Sequence, residues 1–173
     1  MTLLDMRRLR FVAICGVVIA ASTIFFAAVI WYERVSPQKN AVAGLEGAGA
    51  IVLYDFEYDF RAQEGRIPGY KRPSSPSPIL LAALGKDWVA RPVYIQFTGL
   101  QFGDRELGHS CDLLVQLPTV RHLNLRGTQV SDQGIGCLKR LQQLTVLDVR
   151  RTGITPLGAN ALKASLPTCL ILF

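Results

Sequence analysis

The sequence is short of the residue patterns that catalytic and metal-binding proteins commonly use. It has two histidines and four cysteines in 173 residues, and no two cysteines form a Cys-x-x-Cys pair, which argues against a zinc site. Gly-x-Ser-x-Gly, Walker and dinucleotide-binding motifs are absent. We therefore expect no enzymatic activity, no metal and no cofactor.

Long apolar runs are scarce as well, since residues 11–32 form the one long stretch without a charge. A polytopic transporter is thereby excluded, and the 15 glycines and 9 prolines, which follow no short period, exclude a collagen-like or coiled-coil rod. Half of all residues are hydrophobic and the mean hydropathy is +0.27, too apolar for a disordered chain. A 22-residue helix is about 33 Å long, enough to cross a hydrocarbon core of about 30 Å. Residues 11–32 are thus predicted to be a transmembrane helix in contact with the lipid bilayer.

The charges around this run predict its orientation. Residues 1–10 contain Arg7, Arg8 and Arg10 against a single acidic residue, which places the N-terminus in the cytoplasm and the rest of the chain on the non-cytoplasmic side. A cleaved signal peptide is the alternative, but its apolar core would be shorter, and the clean small-x-small site at 41–43 lies far beyond the run. We expect an uncleaved signal-anchor.

Residues 33–90 are predicted to form an N-terminal cap. Residues 36–49 suggest a short helix, and residues 51–59 alternate like a strand. The Pro- and Ser-rich stretch 61–78 indicates an irregular loop. A further helix is expected to start at Ser77-Pro78 and to stop at Gly85.

The remaining residues, 91–173, repeat. Residues 120–130 and 144–154 match in apolar positions at an offset of 24, residues 92–102 match at an offset of 28, and residues 168–173 form a truncated copy. Between copies, apolar residues recur every third position and indicate a short helical return path. A single copy of the repeat, called a coil below, cannot bury its apolar face alone, so neighbouring coils must stack. Thr128 and Thr152 take a ladder position where a hydroxyl can satisfy backbone groups as the chain leaves the strand, whereas Leu100 at that place in the first copy cannot.

These residues carry a resemblance to a known family. Residues 126–135, Arg-Gly-Thr-Gln-Val-Ser-Asp-Gln-Gly-Ile, resemble the GT-x-V-[ST]-D-x-G-L repeat of small membrane-anchored bacterial leucine-rich repeat proteins, and residues 166–171 resemble their closing cap. The pattern departs at residues 103–106, where the glycine after the aspartate is missing, and at Thr155-Pro156, where the aspartate is replaced. The resemblance implies an α/β solenoid with a parallel sheet on the concave side and short helices on the convex side. It also implies protein or glycan binding by that sheet, with no catalytic residue.

Residues between the inward-pointing leucines are expected to face the concave side and to form a recognition surface. An ordinary solvated sheet face, with surface ion pairs of little energetic value, is the alternative. The candidate binding residues are Tyr94, Gln96, Thr98, His122, Asn124, Arg126, Val146, Asp148 and Arg150.

The acidic residues near position 57 and the basic residues of the C-terminal part are expected to be ordinary surface charges. Asp55, Glu57 and Asp59 alternate on the strand predicted at 51–59 and are spaced for paired acid–base carboxylates, but one edge strand offers no cleft, and we expect a solvated face. Residues 120–173 carry seven basic and two acidic residues spread over several faces, so no nucleic acid partner is expected.

Cys111, Cys137 and Cys169 are expected to be lone thiols that pack as small hydrophobes. One disulfide with one thiol left over is the alternative.

The sequence thus predicts a membrane-tethered, noncatalytic module that recognises a protein or glycan through its concave sheet. The alternative is a scaffold or assembly subunit that acts through the transmembrane helix and a repeat edge. An enzyme built on Asp55 and Glu57 is the weakest hypothesis.

Overall fold

The computed structural model describes residues 3–58 and 74–173, without the side chains of residues 3–20, 34 and 35. Helix α1 covers Leu3–Gly47 and contains Pro37, so the helices predicted at 11–32 and 36–49 belong to one continuous element. The chain divides into two compact units, Met1–Pro37 and Gln38–Phe173.

In the first unit, the described side chains of α1 include large apolar residues that are open to solvent. Ile24, Phe25, Phe26 and Ile30 are 60–69 % exposed. Among the described residues, no helix combines the length and the hydropathy needed to cross a membrane. Residues 11–20 of the predicted span lie outside the residues whose side chains are described.

The second unit holds the sheet and the remaining helices. After β1 (Ala50–Tyr54) the elements are α2 (Pro78–Leu84), α3 (Lys86–Val89), β2 (Pro92–Phe97), α4 (Asp104–Val115), β3 (His122–Asn124), the 3₁₀ helix η1 (Asp132–Gly134), α5 (Ile135–Leu138), β4 (Val146–Asp148), α6 (Pro156–Ser165) and β5 (Leu170–Leu172). The five strands lie side by side in chain order. β1 pairs antiparallel with β2, and all later pairs are parallel. The expected α/β fold with a mainly parallel sheet is confirmed.

One continuous core lies between the sheet and the return paths. Leu123, Leu125, Leu147 and Val149 point into it from β3, β4 and the residues that follow them. Each fully buried leucine contributes on the order of 1.5–3 kcal/mol, and parallel pairing stacks equivalent leucines about 4.8 Å apart. The return path between β3 and β4 buries every third residue, as its pattern predicts: Ile135, Leu138, Leu141 and Leu144.

The threonine hydroxyls lie where the chain leaves each strand. Thr128 Oγ1 donates to the Leu125 carbonyl at 2.7 Å, and Thr152 Oγ1 donates to the Val149 carbonyl at 2.6 Å. The Leu125 carbonyl also accepts the Thr128 N–H at 3.1 Å, so there the hydroxyl adds a second hydrogen bond to the carbonyl at the turn.

A second contact joins one coil to the next. Asp104 Oδ1 accepts the Ser131 backbone N–H at 2.9 Å, and its Oδ2 accepts the Ser131 hydroxyl at 2.6 Å. Asp132 binds Thr155 of the following coil through the same two groups at the same distances. We call these two contacts the aspartate links. Both hydrogen bonds favour the charged carboxylate and lower the pKa of Asp132.

The strand predicted at 51–59 is shorter than expected. β1 ends at Tyr54, because Glu57 Oε2 accepts the Tyr54 N–H at 3.1 Å and the Tyr54 carbonyl accepts the Glu57 and Tyr58 N–H groups. These bonds close a turn over residues 55–57, so Asp55 and Glu57 do not share a strand face. Asp59 and most of the loop predicted at 61–78 lie outside the described residues.

The prediction of lone thiols is wrong for two of the cysteines. Cys111 in α4 and Cys137 in α5 form a disulfide, with their Cα atoms 5.8 Å apart. Neighbouring coils bring these residues together although they stand 26 positions apart in the chain. Cys169 is free, and burial raises the pKa of its thiol to about 11.

Candidate binding surface

Six of the nine candidate residues lie on the neighbouring strands β2, β3 and β4, on the side of the sheet opposite the core, and the other three follow the ends of these strands. The strand register aligns Tyr94, His122 and Val146 in a first row and Gln96, Asn124 and Asp148 in a second. Thr98, Arg126 and Arg150 follow two residues later in each coil and make the third row. The three rows together are called the concave surface.

The first row is closed to a partner. Tyr94, His122 and Val146 are only 4, 5 and 6 % exposed. Tyr58, which follows the turn after β1, stacks on Tyr94 with ring centroids 4.6 Å apart, and its hydroxyl lies 2.6 Å from His122 Nδ1. The edge of the His122 ring packs against Tyr94 at 4.8 Å. These four residues therefore form part of the folded structure.

Tyr58 is not among the residues that the sequence pattern predicts for this surface. The apolar alternation of residues 52–58 assigned it to a longer strand beside Val52 and Tyr54. Only the turn at residues 55–57 brings its ring over Tyr94, and no local signal distinguishes that turn from a continuing strand.

The second row is held by a hydrogen-bond chain. The Tyr94 hydroxyl donates to Gln96 Oε1 at 2.6 Å and accepts from Asn124 Nδ2 at 3.0 Å. Asn124 Oδ1 in turn accepts the Arg126 backbone N–H at 2.9 Å. These hydrogen bonds hold the two amide groups in fixed orientations, and burial raises the pKa of the Tyr94 phenol.

Asp148 and Arg150 form a two-pronged ion pair at the edge of this row. Arg150 Nε and Nη2 donate to the two carboxylate oxygens at 3.0 and 2.7 Å, and the Arg150 N–H donates to Oδ1 at 3.0 Å. Burial of Asp148 opposes its ionisation, but these hydrogen bonds and the charge of Arg150 outweigh that effect and lower the pKa of the carboxyl. The pair holds the Arg150 guanidinium in a single orientation.

Five residues of the concave surface remain accessible to a partner. We call them the polar strip: Gln96, Thr98, Asn124, Arg126 and Arg150. Thr98 and Arg126 are exposed, and the other three are half-buried. The strip offers amide, hydroxyl and guanidinium groups, which suit hydrogen-bonded recognition of a polar or acidic surface.

The hypothesis of paired catalytic carboxylates loses its geometric basis. Glu57 accepts the Tyr54 N–H, and Asp55 Oδ1 lies 3.5 Å from the Arg91 N–H. Both carboxylates thus support the backbone around β1. Among the residues whose side chains the structure describes, no group of three or more His, Cys, Asp or Glu is arranged to hold a metal ion.

Comparison with known proteins agrees with this architecture. The family described as Leucine Rich repeat matches residues 116–139 and 141–163, which contain β3, η1, α5, β4 and most of α6. No curated protein and no solved structure matches the chain. Residues 116–163 therefore contain two leucine-rich repeats.

Proposed function

We propose that this chain is a noncatalytic, membrane-tethered module that binds a protein partner through the polar strip. The observation that carries the proposal is the fixed geometry of the strip, in which Asn124 and Arg150 are both held by hydrogen bonds from within the fold. Side chains that are already ordered lose little conformational entropy on binding.

The composition of the strip favours a protein over a glycan. Arginine is enriched in protein interfaces and is prominent among the residues that dominate binding energy. Arg126 is exposed and Arg150 is held beside it across the sheet. Asp148 already balances the charge of Arg150, so the exposed Arg126 is the arginine of the strip whose charge a carboxylate of the partner would complement.

The tether is proposed to be residues 11–32. Support comes from the absence of charge across these 22 positions and from the exposed apolar side chains between Ile24 and Ile30. The arginines before the run favour a cytoplasmic N-terminus. The Cys111–Cys137 disulfide favours a non-cytoplasmic repeat unit, because disulfides persist mainly in oxidising compartments.

A photocrosslinking amino acid placed on either side of the sheet tests the binding proposal. Thr98 and Gln133 are both exposed, but Thr98 belongs to the polar strip and Gln133 lies in η1 on the return path. We expect a protein adduct from position 98 and none from position 133 when the full chain is irradiated in its native membrane. An adduct from position 133 alone would move binding to the convex side, and a glycan adduct at position 98 would change the class of partner.

The topology is tested by protease treatment of intact cells or spheroplasts that carry a C-terminally tagged chain. Loss of the tag without lysis is expected. Protection of the tag until the membrane is opened would place the repeats in the cytoplasm and overturn the proposed orientation.

A further inference from the structure

Helix α2 is an apolar element that the described part of the chain leaves exposed. It reads Pro-Ile-Leu-Leu-Ala-Ala-Leu, carries no charge and has no buried residue. Ile79 is 78 %, Leu80 48 % and Leu84 42 % exposed. Isolated exposed leucines are common on protein surfaces, but three large apolar side chains on two turns of one helix form a patch.

The neighbourhood of α2 is tied to the start of the second unit. Gln38 Nε2 donates to the Asp87 and Ala90 carbonyls, both at 3.0 Å. Lys39 Nζ lies 5.7 Å from the centre of the Trp88 ring. The segment that contains α2 and α3 is thereby anchored to residues 38–39.

Residues 38–39 cannot be far from the end of the proposed membrane span. Gln38 stands six positions after Tyr32, and six residues reach about 20 Å even when fully extended. If residues 11–32 cross a bilayer, Gln38 lies within this reach of the membrane surface, and the carbonyls of Asp87 and Ala90 lie 3.0 Å from its side chain.

The groups beside α2 suit the membrane–water boundary. Lys39 and Lys86 supply positive charge, although Lys86 Nζ also lies 4.8 Å from the centre of the Tyr54 ring. Trp88 is half-exposed, as an interfacial tryptophan is. Asp87, the acidic residue of α3, accepts the Tyr54 hydroxyl and is engaged in the fold. Lysines near a bilayer surface attract anionic lipid headgroups.

We propose that α2 rests on the bilayer that anchors the chain, with Ile79, Leu80 and Leu84 at the boundary between headgroups and acyl chains. This inference rests on the proposed tether. A second attachment point would restrict how the repeat unit can rotate above the membrane.

Quenching of tryptophan fluorescence by brominated lipids tests the proposal in the full chain. Vesicles of brominated phosphatidylcholine and phosphatidylglycerol are compared with unbrominated ones. Three chains that each contain a single tryptophan are needed. In the first chain, Trp88→Phe leaves Trp31 as the reporter of the tether. The other two chains carry both Trp31→Phe and Trp88→Phe. One of them adds Ile79→Trp to report α2, and the other adds Leu157→Trp as a control site. Leu157 is a suitable control because it is 82 % exposed and lies on α6.

We expect the Ile79→Trp chain to be quenched several-fold more strongly than the Leu157→Trp chain. Equal quenching at both positions, or none at position 79 while Trp31 is quenched, would overturn the α2 proposal and leave the tether standing. Quenching at position 79 with Trp31 unquenched would support α2 and overturn the tether. Leu80→Trp provides a second reporter in case Ile79→Trp disturbs folding, which circular dichroism detects.

Discussion

At the scale of single residues, the aspartate links account for three positions of the repeat at once. Ser131 and Thr155 each donate a backbone N–H and a hydroxyl to the aspartate of the preceding coil. Gly134 and Gly158 leave the space that the aspartate side chain occupies. A Cβ added to Gly158 would fall against Asp132 Oδ1 and 2.7 Å from Ile135 Cδ1. The small residue is therefore required by packing between coils.

The two departures from the repeat follow from the same geometry. Glu106 stands where later coils have glycine, and Gly103 stands where they have Ser or Thr. In the sheet, this first coil lies next to β1 and not next to another coil with an aspartate. Instead, the side chain of Glu106 accepts the Gly103 N–H at 3.0 Å. Pro156 replaces the aspartate in the coil of α6, which accordingly makes no aspartate link to the coil of β5.

Substitution of Gly158 tests this packing. Gly158→Ala is expected to lower the free energy of unfolding by about 1–3 kcal/mol, because either Asp132 or Ile135 must move. Gly136→Ala is the matched control, since nothing lies within 4 Å of its added Cβ, and alanine in α5 should be neutral or slightly stabilising. Chemical denaturation in mild detergent measures both, and an equal effect of the two substitutions would contradict the packing argument.

The ion pair of Asp148 predicts how the stability of the fold changes with pH. The folded pKa of this carboxyl is lowered, so its ion pair stabilises the fold above the ordinary aspartate pKa of 3.8, and that contribution is lost as the pH falls through the folded value. We expect Asp148→Asn to be less stable than the native chain at neutral pH and to lose less stability on acidification. Denaturation curves at several pH values measure the slope, and an unchanged acid slope would show that Asp148 does not contribute.

At the scale of elements, the segment after β1 determines which part of the concave surface is open. Tyr58 covers Tyr94 and His122, so the first row stabilises the fold and the polar strip remains for binding. The leucine and threonine positions were predictable from sequence because a fixed period determines which residues face the core. The turn at residues 55–57 and the cover by Tyr58 depend on tertiary contacts that no period encodes.

Substitution of Tyr58 separates packing from hydrogen bonding. Tyr58→Ala is expected to cost about 3–5 kcal/mol of unfolding free energy through loss of the stacked ring. Tyr58→Phe keeps the ring and should cost about 1 kcal/mol for the contact with His122. If both variants unfold at the same denaturant concentration as the native chain, the first row is not covered in solution.

At the scale of the whole molecule, the disulfide connects fold and location. Cys111 and Cys137 stand 26 positions apart, close to the repeat period of 24–28 read from the sequence. That spacing was a signal for adjacent coils, but their contact also required both side chains to point toward each other on the return paths.

Alkylation without prior reduction tests the location that the disulfide favours. In the full chain taken from intact cells, we expect Cys111 and Cys137 to escape modification. Reaction of Cys169 should be slow at neutral pH and accelerate toward its raised pKa of about 11. Mass spectrometry identifies the modified cysteines, and alkylation of Cys111 and Cys137 would argue for a reducing compartment.

Reversal of one charge in the polar strip tests recognition through the concave surface most directly. Three forms of the full tagged chain are purified from their native membrane after crosslinking: the native sequence, Arg126→Glu and Lys163→Glu. Lys163 is an exposed residue of α6, so its substitution makes the same charge change away from the polar strip. The account predicts that a protein captured by the native chain and by Lys163→Glu is lost with Arg126→Glu, because an interface arginine of this kind contributes about 2 kcal/mol or more. Capture of the same protein at the same yield by Arg126→Glu would contradict it.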